Sequence, residues 1–209
     1  SITCLAMFTG AITAIINPDE RALSYANQRA RIDITPLFSD PDATYAARYE
    51  IDVGKLQPIV VIPPSPANTR DLSDVVGTEV QVGYLGSCAS GRVEDLELAA
   101  DVLEGHKVKN GFQLNIIPTS QEIMEIAAKK GIITRLISAG AFISSSSCDY
   151  CFGRMGVMRE GQRAVSTGTL NVRGRMGSPD SEIYIVNAAA VAAAAIEGRI
   201  ADPRPYLKG

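Results

Sequence analysis

From Gln81 to Leu103 the chain reads QVGYLGSCASGRVEDLELAADVL. Gln81 to Tyr84 has the composition of a short strand, Gly86 to Gly91 that of a tight loop, and Val93 to Leu103 that of a helix whose first turn carries Glu94 and Asp95. The same alternation continues toward the C-terminus. Gln113 to Ile117 reads as a strand, and Ser120 as the cap of a helix from Gln121 to Lys130, with Gly131 placed for a C-terminal glycine cap. A helix from Ile132 to Ser138 ends at Gly140, and the strand Ala141 to Ile143 runs into a long polar loop. Arg163 to Ser166 and Ile183 to Val186 are further strands, and the alanine-rich stretch Ala188 to Glu197 is a helix closed by Gly198. Alternation of this kind predicts an α/β fold with three layers, a mostly parallel sheet carrying helices on both faces. The Ala188 to Glu197 helix is apolar almost all round, so it belongs between layers.

Toward the N-terminus the pattern weakens. Ser1 to Ile16 is apolar around Gly10 and reads as a buried helix, and Asn17-Pro18-Asp19-Glu20 as the capped start of a second helix running to about Arg29. Between Ile32 and Thr78, Pro36, Pro41, Pro58, Pro63, Pro64 and Pro66 exclude long helices, leaving a connector with a short strand near Pro58 to Ile62. Residues 1–79 therefore read as the end of a preceding domain plus connector, and residues 80–209 as one α/β domain. The apolar start at Ser1, without an initiating methionine, matches a processed start and equally a chain cut from a longer polypeptide.

Composition narrows the classes. Twenty Lys and Arg against 23 Asp and Glu give a net charge of -3, which lacks the field a nucleic-acid binder uses to gather phosphates. The longest apolar run, Ala188 to Ile196, is shorter than the ~18 to 20 residues a membrane span requires. No basic region followed by an apolar run marks a secretion signal, so the expected location is the reducing cytoplasm. No fixed-period repeat points to a solenoid.

Of four cysteines, Cys88 follows the strand Gln81 to Tyr84, and Cys148 and Cys151 follow the strand Ala141 to Ile143. All three belong on loops at the carboxyl ends of parallel strands, where open α/β sheets place ligands. Cys148-Asp149-Tyr150-Cys151 is open to several readings: a redox dithiol, half of a zinc site, or two core cysteines. A redox pair normally opens a helix, and Phe152-Gly153 followed by Gly156 disfavours one. Zinc needs a fourth ligand, and the sole histidine, His106, is expected at the opposite end of the sheet. Three cysteines without a fourth suit an iron-sulfur cluster with one iron left open. Cys4, in apolar sequence, reads as a small buried hydrophobe, His106 as a solvated residue near a helix end, and Glu94 and Asp95 as dipole partners rather than catalytic acids.

These residues also carry a family resemblance. GSCASGRVEDL at 86–96 resembles the pattern G-S-C-T-N-G-R-x-E-D-L of the aconitase and 3-isopropylmalate dehydratase (isopropylmalate isomerase) large-subunit family. CDYC at 148–151 is similar to that family's C-G-P-C, GRMGSP at 174–179 with Glu182-Ile183-Tyr184 to its G-R-M-G-S-P and E-I-Y, and Ala11 to Glu20 to its G-L-I-x-P-D-E segment. The match is in order over nearly the whole chain and corresponds to the C-terminal half of a large subunit. The resemblance implies an aconitase-type iron-sulfur domain with a [4Fe-4S] cluster on Cys88, Cys148 and Cys151. It also implies a hydro-lyase or isomerase of a small hydroxy-carboxylic acid, in which the open iron acts as a Lewis acid.

Where the family has S-T-S-N-R-N-F-x-G-R, residues 166–175 read STGTLNVRGR. Arg175 is kept and is implied to hold a substrate carboxylate, with Thr169 and Ser90 as secondary contacts. Leu170 replaces a family arginine, so one anionic contact is lost, and Arg173 is the nearby cation able to replace it in part. Phe8 stands where the family has an acid, and Ala89-Ser90 stands for Thr-Asn. A more apolar hydroxy acid would fit these changes, as would a catalytically silent cluster-binding, sensing or scaffolding subunit; a zinc-stabilised domain is a further rival. The family's other catalytic residues have no counterpart here. The implied partners are an N-terminal half or another large-subunit chain and a small swivelling subunit, in a heteromeric complex.

Overall fold

Val82, Tyr84, Ala164 and Ile183 point to one face of a seven-stranded sheet, and Leu85, Leu114, Ile116 and Val165 to the other. The structure, a computed structural model, describes residues 2–6, 10–86 and 88–207, with Cys4 described through its backbone alone. It divides into two compact units, residues 2–56 and residues 57–209.

In residues 2–56, helix α1 spans Ile2–Ala6 and α2 spans Glu20–Asn27. The buried helix expected over Ser1 to Ile16 is not formed over residues 10–16: Gly10 takes a φ of 88°, these residues are not helical, and Ile12 and Ile15 are exposed. The second helix begins two residues later than expected. Asp19, not Asn17, is its cap, because the Asp19 carboxylate accepts the Ala22 N–H at 2.7 Å.

The sheet of residues 57–209 has strands β1 (Ile59–Val61), β2 (Thr69–Asp71), β3 (Val82–Leu85), β4 (Gln113–Ile116), β5 (Phe142–Ile143), β6 (Arg163–Ser166) and β7 (Glu182–Ile185). Their order is β2-β1-β7-β6-β3-β4-β5, with β7 through β5 all parallel and β1 and β2 antiparallel at one edge. β1 and β2 lie within the stretch read as connector and are part of the sheet. The register sets Tyr84 of β3 beside Asn115 of β4 and Ser166 of β6. These three side chains share a face.

Helices α3 (Val93–Val102), α4 (Gln121–Lys129), α5 (Ile132–Ala139) and α6 (Ala188–Glu197) form the layer on the other face. Every residue from Ala188 to Ala195 of α6 is buried, as its unbroken apolar sequence requires, and Asn187 caps it by accepting the Ala190 N–H at 2.9 Å. α4 opens on Ser120, whose hydroxyl accepts the Ile123 N–H at 3.2 Å. The two-sided cover expected for the sheet is met by helices on one face and by loops on the other. Tyr150, Cys151, Met158 and Met176 pack there on Val82, Tyr84, Ala164 and Ile183, and that cluster contains no helical residue. The loop-covered face holds the candidate site.

Candidate iron-sulfur site

Three loops leave the carboxyl ends of β3, β4 and β6 and lock together. The Thr167 hydroxyl, just past β6, accepts the Gly86 N–H at 2.9 Å and donates to the Gly86 carbonyl at 2.8 Å. Past β4, the Thr119 N–H bonds to the Gly91 carbonyl at 3.0 Å and the Thr119 hydroxyl donates to the Ser90 carbonyl at 2.6 Å. Gly91 has a φ of 81°, and a Cβ there would stand 2.7 Å from the Ile117 carbonyl oxygen, so only glycine permits this approach. Buried backbone groups of the 86–91 loop thus find partners, and the loop presents Cys88 outward from a fixed base.

The second thiol loop follows β5. Ser144 N–H bonds to the Ile116 carbonyl at 3.0 Å, and the Ser147 hydroxyl accepts the Asp149 N–H at 3.3 Å. Phe152 N–H bonds back to the Cys148 carbonyl at 3.0 Å, and the chain then turns at Gly153, where a Cβ would meet the Met176 carbonyl carbon at 2.6 Å. No helix opens on the Cys148 to Cys151 segment, in keeping with the glycines that follow it.

Cys88 and Cys148 line a single pocket of about 290 Å3 with Ile117, Pro118, Thr119, Ser146 and Ser147. Cys151 is buried behind it against the sheet face. Arg175 Nη2 lies 3.3 Å from Cys151 Sγ, and its guanidinium carbon sits 4.2 Å from the centroid of the Phe152 ring, a cation-π contact. Among the described residues Arg175 forms no ion pair with a carboxylate, and its buried Nε has no hydrogen-bond partner. Ser90 and Thr169 are buried, and Leu170 is partly so.

Two groups on this face were not singled out from sequence. Tyr84 is fully buried, and among the described residues its hydroxyl has no partner. Burial, and then the neighbouring Cys151, Cys148 and Cys88, hold its phenol well above the usual range, against the opposing Arg175. Ser146, in the thiol pocket, has a buried hydroxyl that has no partner among the described residues. The signal for Tyr84 was present as a lone phenol on an otherwise apolar strand.

Other candidates lie elsewhere. Arg173 is exposed and lines a different pocket with Pro63, Pro64, Asn171 and Asp180. His106 packs edge-on against Tyr206 beyond the far end of α3, so the nitrogen that a zinc site would require is not with the thiols. The Asp95 carboxylate accepts the Arg92 N–H at 3.2 Å, which makes it a helix-start residue. Phe8, Ser87 and the Cys4 side chain lie outside what the structure describes.

Comparison with known proteins decides the relationship. A family model described as Aconitase family (aconitate hydratase) matches residues 70–198. The chain belongs to the aconitase family. It is 44% identical over 204 residues to the 3-isopropylmalate dehydratase large subunit 1 of Methanopyrus kandleri, covering 97% of this chain and 49% of that protein. Against the 3-isopropylmalate dehydratase large subunit of Caldivirga maquilingensis it is 43% identical, over 95% of this chain and 48% of the relative. Against that of Halothermothrix orenii it is 39% identical, over 99% and 50%. The chain spans about half the length of the curated relatives it matches.

The residues present fit the cluster that the aconitase family implies. The donor set is soft thiol sulfur from loops that share one rim, beside unpartnered buried donors on Tyr84, Ser146 and Arg175. Among the described residues no three His, Cys, Asp or Glu side chains converge on a single ion. A cubane takes each thiolate on a different iron, so its ligands stand further apart than four donors around one zinc.

Proposed function

We propose that this chain is part of an iron-sulfur hydro-lyase or isomerase that dehydrates, and in the isomerase case rehydrates, a small hydroxy-carboxylic acid. The cluster is a [4Fe-4S] unit held by Cys88, Cys148 and Cys151. The observation that carries the reading is Arg175: a guanidinium placed against Cys151 and Phe152 without a carboxylate partner, beside a pocket that contains the other two thiols. When bound, the cluster supplies an iron without a thiolate ligand, a Lewis acid toward a substrate hydroxyl.

The chain's own residues then bind and orient. Arg175 offers its remaining N–H groups to a substrate carboxylate, and Phe152 holds the guanidinium plane from one side. Thr169 and Ser90 offer neutral hydroxyl contacts from buried positions. Leu170, where the family pattern has arginine, excludes water and offers no charge, so the substrate bears one acidic group fewer or a more apolar substituent there. The acid and base that move the proton come from the rest of the large subunit, and a small swivelling subunit completes a cytoplasmic heteromeric complex.

Anaerobic reconstitution with iron and sulfide tests the ligand set. The product is expected to be brown, with broad absorption near ~400 nm. Cys88→Ser, Cys148→Ser and Cys151→Ser should each lose most of that absorption while keeping the helical circular-dichroism signal. Wild-type protein that stays colourless, or that takes up stoichiometric zinc instead, overturns the reading. In the assembled complex, a hydroxy-acid-dependent change in the cluster spectrum marks the enzyme. A spectrum indifferent to every small hydroxy acid marks the silent cluster-binding subunit.

A further inference from the structure

On the site face Tyr84 presents a hydroxyl group with no hydrogen-bond partner among the described residues. The side chain is 0% exposed, and a buried donor without an acceptor is destabilising. Its surroundings are defined on two sides. A Cβ placed on Gly86 would lie 3.3 Å from the Tyr84 oxygen, so the hydroxyl abuts the root of the Cys88 loop. A Cβ placed on Gly168 would lie 4.0 Å from both the Tyr84 ring edge and Cys151 Sγ, so ring and sulfur line the same wall. The Gly86 carbonyl receives the Thr167 hydroxyl and the Ser166 hydroxyl oxygen receives the Gly168 N–H, and neither bonds to the Tyr84 hydroxyl. Cys151 Sγ lies on the same wall as the ring, and Cys88 follows two residues beyond the glycine that the hydroxyl abuts.

We infer that Tyr84 is a positioning residue whose hydroxyl donates a hydrogen bond to the sulfurs of the cluster held by Cys88, Cys148 and Cys151, stabilising its more negative, reduced form. This rests on the cluster reading above. A buried neutral phenol carries one O–H donor, and here that donor is turned to the wall it shares with Cys151. A hydrogen bond to cluster sulfur favours the state with more negative charge, and the reduction potential is set in part by such bonds.

The test compares the full chain with Tyr84→Phe, which removes only the oxygen. In the cluster-free protein the variant should melt at the same temperature as wild type or higher, because an unpartnered buried hydroxyl has been replaced by hydrogen. In the reconstituted protein, at equal iron and sulfide content, the cluster of Y84F should be harder to reduce by roughly tenfold, a lowering of about 59 mV for a one-electron couple. Identical potentials in the two loaded proteins overturn the inference and leave the cluster reading intact. A cluster-free Y84F that is clearly less stable than wild type also overturns it, since the hydroxyl then has a structural partner. Wild-type chain that takes up no cluster removes both readings. If Y84F folds but loads poorly, the iron-loss rate of partly loaded samples under air replaces the potential: faster loss than wild type supports the hydrogen bond, and an equal rate overturns it.

Discussion

Arg175 illustrates how much of a site a single side chain can carry. Its guanidinium packs on Phe152 and lies 3.3 Å from Cys151 Sγ, and among the described residues no carboxylate pairs with it, so its charge stays available for a ligand. Lysine preserves the charge but neither the planar fork nor the stacking. Arg175→Lys in the assembled enzyme is therefore expected to lower kcat/KM roughly 10- to 100-fold, the equivalent of about 1.5 to 3 kcal/mol for hydrogen bonds to a charged group. The companion change at Leu170 should act on specificity. Leu170→Arg restores the charge of the family pattern and is expected to shift relative kcat/KM toward substrates with an additional carboxylate. Steady-state kinetics with mono- and dicarboxylic hydroxy acids checks both, and an unchanged ratio for L170R would remove Leu170 from the substrate contacts. At this scale sequence offers candidates where a motif names the residue, as with the cysteines and Arg175. It was silent on Thr167, because its value lies in a pairing with Gly86 across 81 residues that no local pattern encodes.

Among the elements, the parallel strands and α6 were legible because the information is local. Gln113 to Ile116 is a strand between turn signals, and Asn187, eight small residues and Gly198 mark the start, interior and end of α6. The cover on the site face was not legible. Residues 144–158 have no period to read, and their placement follows from tertiary contacts such as Gly153 against Met176 and Tyr150 against Gly156. The early helix shows a related limit: the apolar composition of Ser1 to Ile16 suggests burial, yet Ile12, Ile15 and Ile16 are exposed. α6 also supports a stability prediction. Ala192 is fully buried within the core that α6 shares with α3 and the sheet, leaving no room for added methylenes. Ala192→Leu is expected to destabilise the protein by about 1 to 3 kcal/mol, read from the shift of the urea midpoint at constant slope.

At the scale of the whole molecule, the apolar core is unevenly divided. Every buried hydrophobic residue described, from Val60 to Ile200, lies in residues 57–209, whereas no described side chain of residues 2–56 is buried. Hydrophobic burial is the main favourable term in folding, at roughly 25 cal/mol per Å2 of apolar surface. By that measure residues 57–209 contain what a cooperative fold requires: two core clusters on opposite faces of one sheet, with strands β1 and β2 included. Residues 2–56 instead expose Ile12, Ile15, Ile32 and Tyr49, and α2, with only 8 residues, is too short to be stable alone in water. Expressed separately, residues 57–209 are expected to unfold in a single cooperative thermal transition and to retain the Ala192 sensitivity described above. Residues 2–56 expressed alone are expected to show no cooperative transition and little helical signal. Circular-dichroism melts of the two pieces and of the intact chain decide the matter. A fragment 57–209 that melts without cooperativity would mean that the sheet unit depends on residues 2–56 for its stability, although it buries its core without them.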